Sequence, residues 1–455
     1  MKKMIIPLFL IFLLAACSAE NSRPPNIILV SVDTLRWDYL ETYGYPDKAI
    51  SPTVSWLALN GSVFEQAVVT AGTTVPSHGS MLTGLYPRMH GARSNYHALY
   101  PKAATVTEAL SEAGYQTGAF VSVNSLIRVG ELGRGFQHQS FPFNDEEGPA
   151  KGWPRSGART VEEASKWLAT VDKEKPVFLW LHLWEPHGPY DMTDWARKRL
   201  EDYDGFLKDG ASMEDLLNRT QDIVDSEEHV KALQTLYAGE VNLADQYLGQ
   251  FFDVWKSNDL LSDTVVIFTS DHGQGLGERK RMGHGAVHAE HVIRVPLILS
   301  DFRAPKHQRI QTRVGAMDFA ATIAELAGLD KKFDWIGYSL LHTDALDPNK
   351  PYYVEVELRT NADTRDIADA GGYDPNAVGV WSGDFKVVSS NNRVRMFATA
   401  SDNRFPRLIN QKKEPILFDY LSGLVESFQE TELDMTESTI SEDQLKELQG
   451  LGYVQ

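Results

Sequence analysis

The chain has 455 residues, a formal net charge of −18 and a single cysteine, Cys17. So acidic a chain is a poor nucleic-acid binder, because such binding relies on basic patches. One cysteine near the start excludes an internal disulfide and a thiolate metal site downstream, so stability must come from a core that this length can supply.

In chain order, Lys2 and Lys3 precede an apolar run from Met4 to Ala16, which Leu14-Ala15-Ala16-Cys17 closes. The run falls short of the ~20 residues of a membrane-spanning helix. Its ending resembles a lipobox. Residues 1–16 are therefore read as a lipoprotein signal peptide, Cys17 as the lipidated mature N-terminus and 17–25 as a polar tether. An ordinary signal peptide or a helix core is the alternative. Ser18, where inner-membrane lipoproteins carry Asp, points by analogy to export and a lipid anchor in the outer membrane, facing the periplasm.

Asn26 to Val32 is nearly continuously apolar, as a strand buried on both faces is, and Asp33 follows its carboxyl end. Thr73 to Gly84 reads as a helix. Pro76 suits its first turn, and Gly84 the residue after its end. Thr74 then sits at a helix N-terminus, where free N–H groups attract anions. Its hydroxyl is either a nucleophile or simply an N-cap. Thr105–Ala113 reads as a helix ended by Gly114, and Gly118–Val121 and Pro176–Leu183 as strands. Residues 190–235 are charged and read as a helical insertion above the site. Thr264 to Ser270 repeats the buried-strand pattern and ends in Asp271-His272-Gly273. Asp318–Ala327 is a helix closed by Gly328. From about 345 the composition shifts to shorter alternating strands, Pro351–Val356 and Phe385–Val388. A polar loop over Asn361–Pro375 and a terminal helix over Ser441–Leu451 follow.

This alternation predicts an α/β fold with a large, mainly parallel sheet flanked by helices, and a small C-terminal antiparallel sheet with a terminal helix. The boundaries read as 26–340 for the catalytic domain and 341–455 for the C-terminal subdomain. Ligands bind beyond the carboxyl ends of such strands. Asp33, Asp271 and His272 therefore converge with Thr74, a donor set suited to a divalent cation.

The blocks Val32–Asp38, Thr74–Gly91, Trp184–Tyr190, Ser270–Gly273, Gly283–Gly285 and Arg294–Ile298 resemble, in order and spacing, the sulfatase family of the alkaline phosphatase superfamily. The resemblance runs from about Asn26 to Leu329, and Leu445–Tyr453 is similar to the end of many bacterial members. It implies a sulfatase-like fold and a metal (calcium, zinc or manganese) held by Asp33, Asp271, His272 and Thr74. It also implies contacts from His187 and His284 to the transferred group. Glu185, His187 and His284 are the set for a second metal, or Glu185 only orients His187. Four departures matter. The family carries Cys or Ser, oxidised to formylglycine, at Thr74, and Arg at His78. Its second N-terminal metal-binding Asp is Thr34, and its Lys/His pair falls on Ser122 and Asn124. Threonine nucleophiles typify the phosphodiesterase and phosphotransferase branches.

The expected activity is thus metal-dependent hydrolysis of a sulfuric ester or a phosphoric mono- or diester, with a small-molecule, glycan or lipid anionic ester as substrate. The rivals are a phospho-alcohol transferase acting on a cell-envelope acceptor and an inactive binding lipoprotein. His182, inside an apolar strand, reads as a satisfied core histidine. His288 and His291 read as loop or supporting residues, and Arg36 as a partner of Asp38.

Overall fold

A computed structural model describes residues 23–142, 154–285, 289–329, 335–356, 377–391, 393–399 and 406–430. Cys17, His288, the Asn361–Pro375 loop and the Ser441–Leu451 helix lie outside the described residues.

The main sheet contains β1 (Asn26–Val32), β2 (Gly61–Val68), β3 (Gln116–Val121), β4 (His138–Ser140), β5 (Val177–Leu183), β6 (Thr264–Ser270), β7 (Arg294–Asp301), β8 (Gln308–Ile310) and β9 (Val314–Gly315). Their order is β8-β2-β7-β6-β1-β5-β3-β4, with β9 also on β2. β1, β5 and β6 are buried along their whole length, which is why they read as unbroken apolar runs. Alternate residues serve two cores. Ile27 and Leu29 face one, and Ile28, Val30 and Val32 the other. The mainly parallel α/β expectation holds.

One strand departs from the parallel pattern. β7 is antiparallel to both β2 and β6. It therefore begins at the edge where β1, β5 and β6 end. That brings Glu290–Ile293 beside the exit of β6, where Gly273 N donates to Val292 O at 2.7 Å and Gln274 N to His291 O at 3.1 Å. A Cβ on Gly273 would lie 2.0 Å from the His291 carbonyl oxygen, so only glycine allows this approach.

The insertion contains short helices at Asp194–Arg197, Met213–Asn218 and Thr220–Val224. The sequence reading missed the 31-residue helix Glu227–Ser257 that follows. Ser226 caps this helix by accepting from His229 N, and Glu227 and Glu228 complement its dipole. Its Asp245 in turn accepts from Thr53 N and Val54 N at 3.0 and 2.9 Å, capping the Pro52–Leu59 helix from outside.

The C-terminal sheet is antiparallel and five-stranded: β10 (Tyr352–Glu355), β11 (Val378–Ser382), β12 (Phe385–Ser390), β13 (Arg393–Ala398) and β14 (Arg407–Leu408). Its Val380, Val387 and Met396 share one apolar cluster with Leu29 and Phe64 of the main sheet. A helix over Pro415–Gln429, absent from the sequence reading, covers it. Among the described residues no helix is long and apolar enough to cross a membrane.

Glu240, on the long helix, accepts from Asp191 N at 2.8 Å. Burial pushes its carboxyl from 4.5 up to about 8. The folded state therefore holds a proton that the unfolded state releases near pH 4.5. This contribution to stability is complete below that pH and is lost as pH rises to about 8. Glu240→Gln keeps the acceptor oxygen without the charge. We expect its thermal midpoint to match wild type at pH 5 and exceed it at pH 9; parallel pH dependences of the two midpoints would refute the assignment.

Candidate active site

The β1–β6 register pairs Val32 with Ser270, so the residues that follow, Asp33 and Asp271, emerge side by side. Both are fully buried. Thr34 then turns the chain with φ of 56°, a left-handed conformation that is an outlier for a β-branched residue. The turn aims Thr34 N at Asp271 Oδ1, 3.2 Å away. The hydroxyl of Tyr237, from the long helix, holds the turn by donating to Thr34 O at 2.7 Å and accepting from Arg36 N at 2.9 Å. Arg36 pairs with Asp38 through two bonds of 2.9 and 2.8 Å, as expected, and also reaches Gln274 O and Glu278. It therefore braces the site from behind.

The helix spans Thr74–Thr83 and ends at Gly84 with φ of 64°. Thr73 is its N-cap residue, and neither threonine caps it through the side chain. The cap is Asn95, which the sequence reading missed; its Oδ1 accepts from Val75 N at 2.9 Å. Ser77 N bonds Thr73 O, and Pro76 has no N–H. The expected cradle of free helical amides is thus largely occupied, and charge for an anion must come from elsewhere.

The Thr74 hydroxyl faces His272 instead, with Oγ1 3.4 Å from Nε2, long for a hydrogen bond. The site carboxylates are unusually bare. Both oxygens of Asp33 and Oδ2 of Asp271 are buried with no hydrogen-bond partner. Burial raises the pKa of both acids, and for Asp33 the neighbouring Asp271 adds to it. Buried unpaired acceptors cost about 1–3 kcal/mol each, more when charged. The ligand atoms of Asp33, Asp271 and His272 lie within 4.8 Å of one another. These residues therefore fit a divalent cation, which would satisfy the bare oxygens.

Backbone carbonyls set the imidazoles. His272 Nδ1 contacts Gly273 O at 3.0 Å, His187 Nδ1 contacts Gly188 O at 2.7 Å and His284 Nδ1 contacts Gly72 O at 3.1 Å. A carbonyl only accepts, so each Nδ1 carries the proton, and the His187 and His272 rings, when neutral, present their Nε2 lone pairs. Burial lowers His272 to about 3 and His187 to about 4, keeping both neutral. The rings cluster, with His284 4.3 Å from His272 and 5.5 Å from His187 between centroids.

Glu185 does not join them. Both its oxygens accept from Gly157 N, at 3.1 and 3.0 Å, at the start of the Gly157–Leu168 helix. Among the described residues Glu185, His187 and His284 do not gather into a metal-sized group. His182 corrects the sequence reading. It is fully buried, yet neither ring nitrogen has a hydrogen-bond partner.

His78 closes a neutral chain. Trp180 Nε1 donates to Ser31 Oγ at 3.0 Å, Ser31 Oγ lies 2.8 Å from His78 Nε2, and His78 Nδ1 lies 2.8 Å from Thr74 O. The Thr74 carbonyl accepts from Nδ1–H, so Nε2 accepts from the serine hydroxyl. Burial holds the His78 pKa down. His78 thus positions Thr74 and brings no positive charge.

A family profile described as Sulfatase matches residues 25–329. Arylsulfatase K of Mus musculus is 23% identical over 360 residues, covering 71% of this chain and 64% of the mouse protein. The chain thus spans slightly less than two thirds of that relative. A solved structure in complex with D-glucosamine-2-N,6-O-disulfate superposes with a TM-score of 0.71 at 19% identity, covering 90% of this chain and 98% of the other. The phosphonate monoester hydrolase of Agrobacterium radiobacter gives a TM-score of 0.68 at 18% identity, covering 89% and 94%.

The capping pattern is open to a direct test. Asn95→Ala strands a buried N–H and should cost about 1–3 kcal/mol, more than Thr74→Ala, whose hydroxyl caps nothing. Denaturant unfolding of the two variants measures this, and the reverse order would return Thr74 to a capping role.

Proposed function

The chain belongs to the sulfatase family, and on that premise we propose that it is a metal-dependent ester hydrolase with Thr74 as nucleophile. The observation that carries this is the Thr74 hydroxyl, buried to 5% exposure and 3.4 Å from His272 Nε2, beside three partnerless carboxylate oxygens. Asp33, Asp271 and His272, with Thr74, would hold the cation. Bound there, it would lower the pKa of a hydroxyl and polarise a substrate oxygen. The imidazole in this set favours zinc over calcium, which prefers oxygen ligands.

Thr74 Oγ1 forms the new bond to phosphorus or sulfur as the ester oxygen departs. The hydroxyl proton leaves Thr74, and the departing alkoxide takes one up. Water then cleaves the threonine ester and restores the hydroxyl. Neutral His187 is the group placed to accept or pass these protons, with His284 beside it.

We read the substrate as a phosphoester in preference to a sulfate ester. An unmodified threonine would form a sulfo-enzyme with no hydrated aldehyde to expel sulfate. Likeness to both an arylsulfatase and a phosphonate monoester hydrolase is compatible with this choice. A small-molecule, glycan or lipid ester would suit the class. The intact Asp33, Thr74, Asp271 and His272 disfavour an inactive binding protein.

Parallel turnover of aryl phosphate, aryl phosphodiester and aryl sulfate tests the reading. Wild type should favour a phosphoester. Thr74→Ala should fold and lose several orders of magnitude in turnover, while Thr74→Ser keeps measurable activity. A dominant arylsulfatase activity would overturn the substrate class, and an active Thr74→Ala the mechanism.

We further propose that the protein is exported and anchored through a lipid on Cys17, facing the periplasm from the outer membrane. Cys17→Ser should move it out of the membrane fraction and remove the lipidated N-terminal peptide from mass spectra. An unlipidated wild-type N-terminus would end the proposal.

A further inference from the structure

The chain enters the fold at the edge opposite the candidate active site. β1 pairs in parallel with β5 and β6, so the three strands start at one edge, and β7 ends beside them with Asp301 opposite Val265. Asp33, Asp271 and His272 follow the other ends of β1 and β6. β1 has 7 residues, which puts roughly 23 Å between the two edges at about 3.3 Å per residue.

The residues before β1 are fastened where they enter. Arg23 donates to Asn26 Oδ1 at 3.0 Å and to Lys173 O, and pairs with Asp263 at 3.4 Å. Pro25 O accepts from Tyr115 OH at 3.1 Å. β1 is interior to the sheet, so this fixed point lies near the middle of the amino edge. From Arg23 back to Cys17 the chain can span no more than about 22 Å, at up to ~3.6 Å per residue. A domain of this length has a radius of gyration of about 22 Å and measures more than twice that across. An anchor at Cys17 therefore lets the domain rock on its amino edge but does not let the opposite edge turn down to the same bilayer.

The amino edge itself suits a lipid surface. The chain carries a net charge of −18, yet in the loops 172–175 and 301–306 the cations match or outnumber the acids. Lys173, Lys175, Arg303 and Lys306 are exposed there. Leu59, 66% exposed, ends the Pro52–Leu59 helix at the same edge, where Asn60 O accepts from Asp301 N at 3.3 Å. Exposed cations are drawn to anionic headgroups, and an exposed apolar side chain beside them gains from contact with the interface.

We propose, on the reading that Cys17 carries the lipid, that the amino edge of the main sheet is held against an anionic bilayer and that the catalytic edge opens away from it. The ester hydrolysed at Thr74 then reaches the site from the aqueous side, dissolved in the periplasm. It is not a headgroup of the membrane that holds the protein.

The test uses the full lipidated chain on vesicles of phosphatidylethanolamine and phosphatidylglycerol. Cys17 is the only cysteine, and the lipid occupies its sulfur, so a fluorophore on Lys175→Cys or Arg281→Cys labels one place. Lys175 precedes β5 at the amino edge, Arg281 follows β6 at the catalytic edge, and both are exposed. Energy transfer to acceptor-labelled headgroups should be stronger from position 175 than from position 281 by about twofold or more, because the depth of the sheet separates them. Anchored protein should hydrolyse its preferred soluble aryl ester as fast as Cys17→Ser protein in solution, and should release no headgroup from its own vesicles. Equal transfer from the two positions, the reverse order, or headgroup release faster than by Cys17→Ser protein overturns the orientation. An unlipidated wild-type N-terminus overturns the anchor and the orientation with it. The expected transfer pattern without turnover of any ester leaves the orientation standing and overturns the hydrolase reading.

Discussion

Two carboxylates at the carboxyl edge of a solvent-free sheet are the constraint that organises this protein. Strand pairing places Asp33 and Asp271 side by side, and strand burial removes the water that would solvate them. Three of their four oxygens have no hydrogen-bond partner. Left to hydrophobic packing alone, such a pair would be among the costliest features of the fold. The surroundings hold the acids in place. The strained Thr34 turn, the Tyr237 hydroxyl and the Arg36 brace all fix one edge of the site. None of them neutralises Asp33. The arrangement makes sense when a cation completes it.

The histidines follow the same logic. His187, His272 and His284 each hold Nδ1 against a carbonyl oxygen, and two of those carbonyls belong to the residue next in sequence. The backbone thus chooses the tautomer, and burial keeps His187 and His272 uncharged. Neutral rings with oriented lone pairs serve as ligands and proton acceptors, and are poor resting acids. His78 extends the pattern to Thr74, whose carbonyl it holds through a chain anchored on Trp180.

Much of this was legible in the sequence because buried parallel strands have a simple signature. Asn26–Val32, Val177–Leu183 and Thr264–Ser270 are apolar runs with polar residues at their ends, and the ends carry Asp33, Asp271 and His272. Other features left no local trace. His182 lies inside an apolar run, so periodicity files it with the core; only the register that sets it opposite Ser31 reveals its neighbours. Asn95 caps a helix twenty residues upstream, beyond the reach of any capping pattern. The reversed direction of β7 is a property of the sheet and not of its own residues. The long helix starts inside the charged 190–235 segment, which reads only as a helical insertion, and runs well past its end.

The reversed strand also ties the C-terminal sheet to the chemistry. Because β7 enters at the active edge, the residues before it pack against the loop that follows Asp271 and His272. Among them is Glu290, buried and paired with Lys386 at 2.8 Å, with Trp381 Nε1 donating to the same oxygen at 3.1 Å. Both partners come from the C-terminal sheet. On the other side of Thr74, Glu355 N bonds Thr70 O at 2.8 Å, and Ala71, three residues before Thr74, bridges to Glu355. The second sheet therefore grips both backbone segments that flank the Thr74–His272 pair. Its apolar residues are continuous with the main core, so the two sheets share one packed interior. A buried ion pair one residue from His291 contributes placement more than net stability. What it places is the backbone that keeps Asp271 and His272 opposite Thr74.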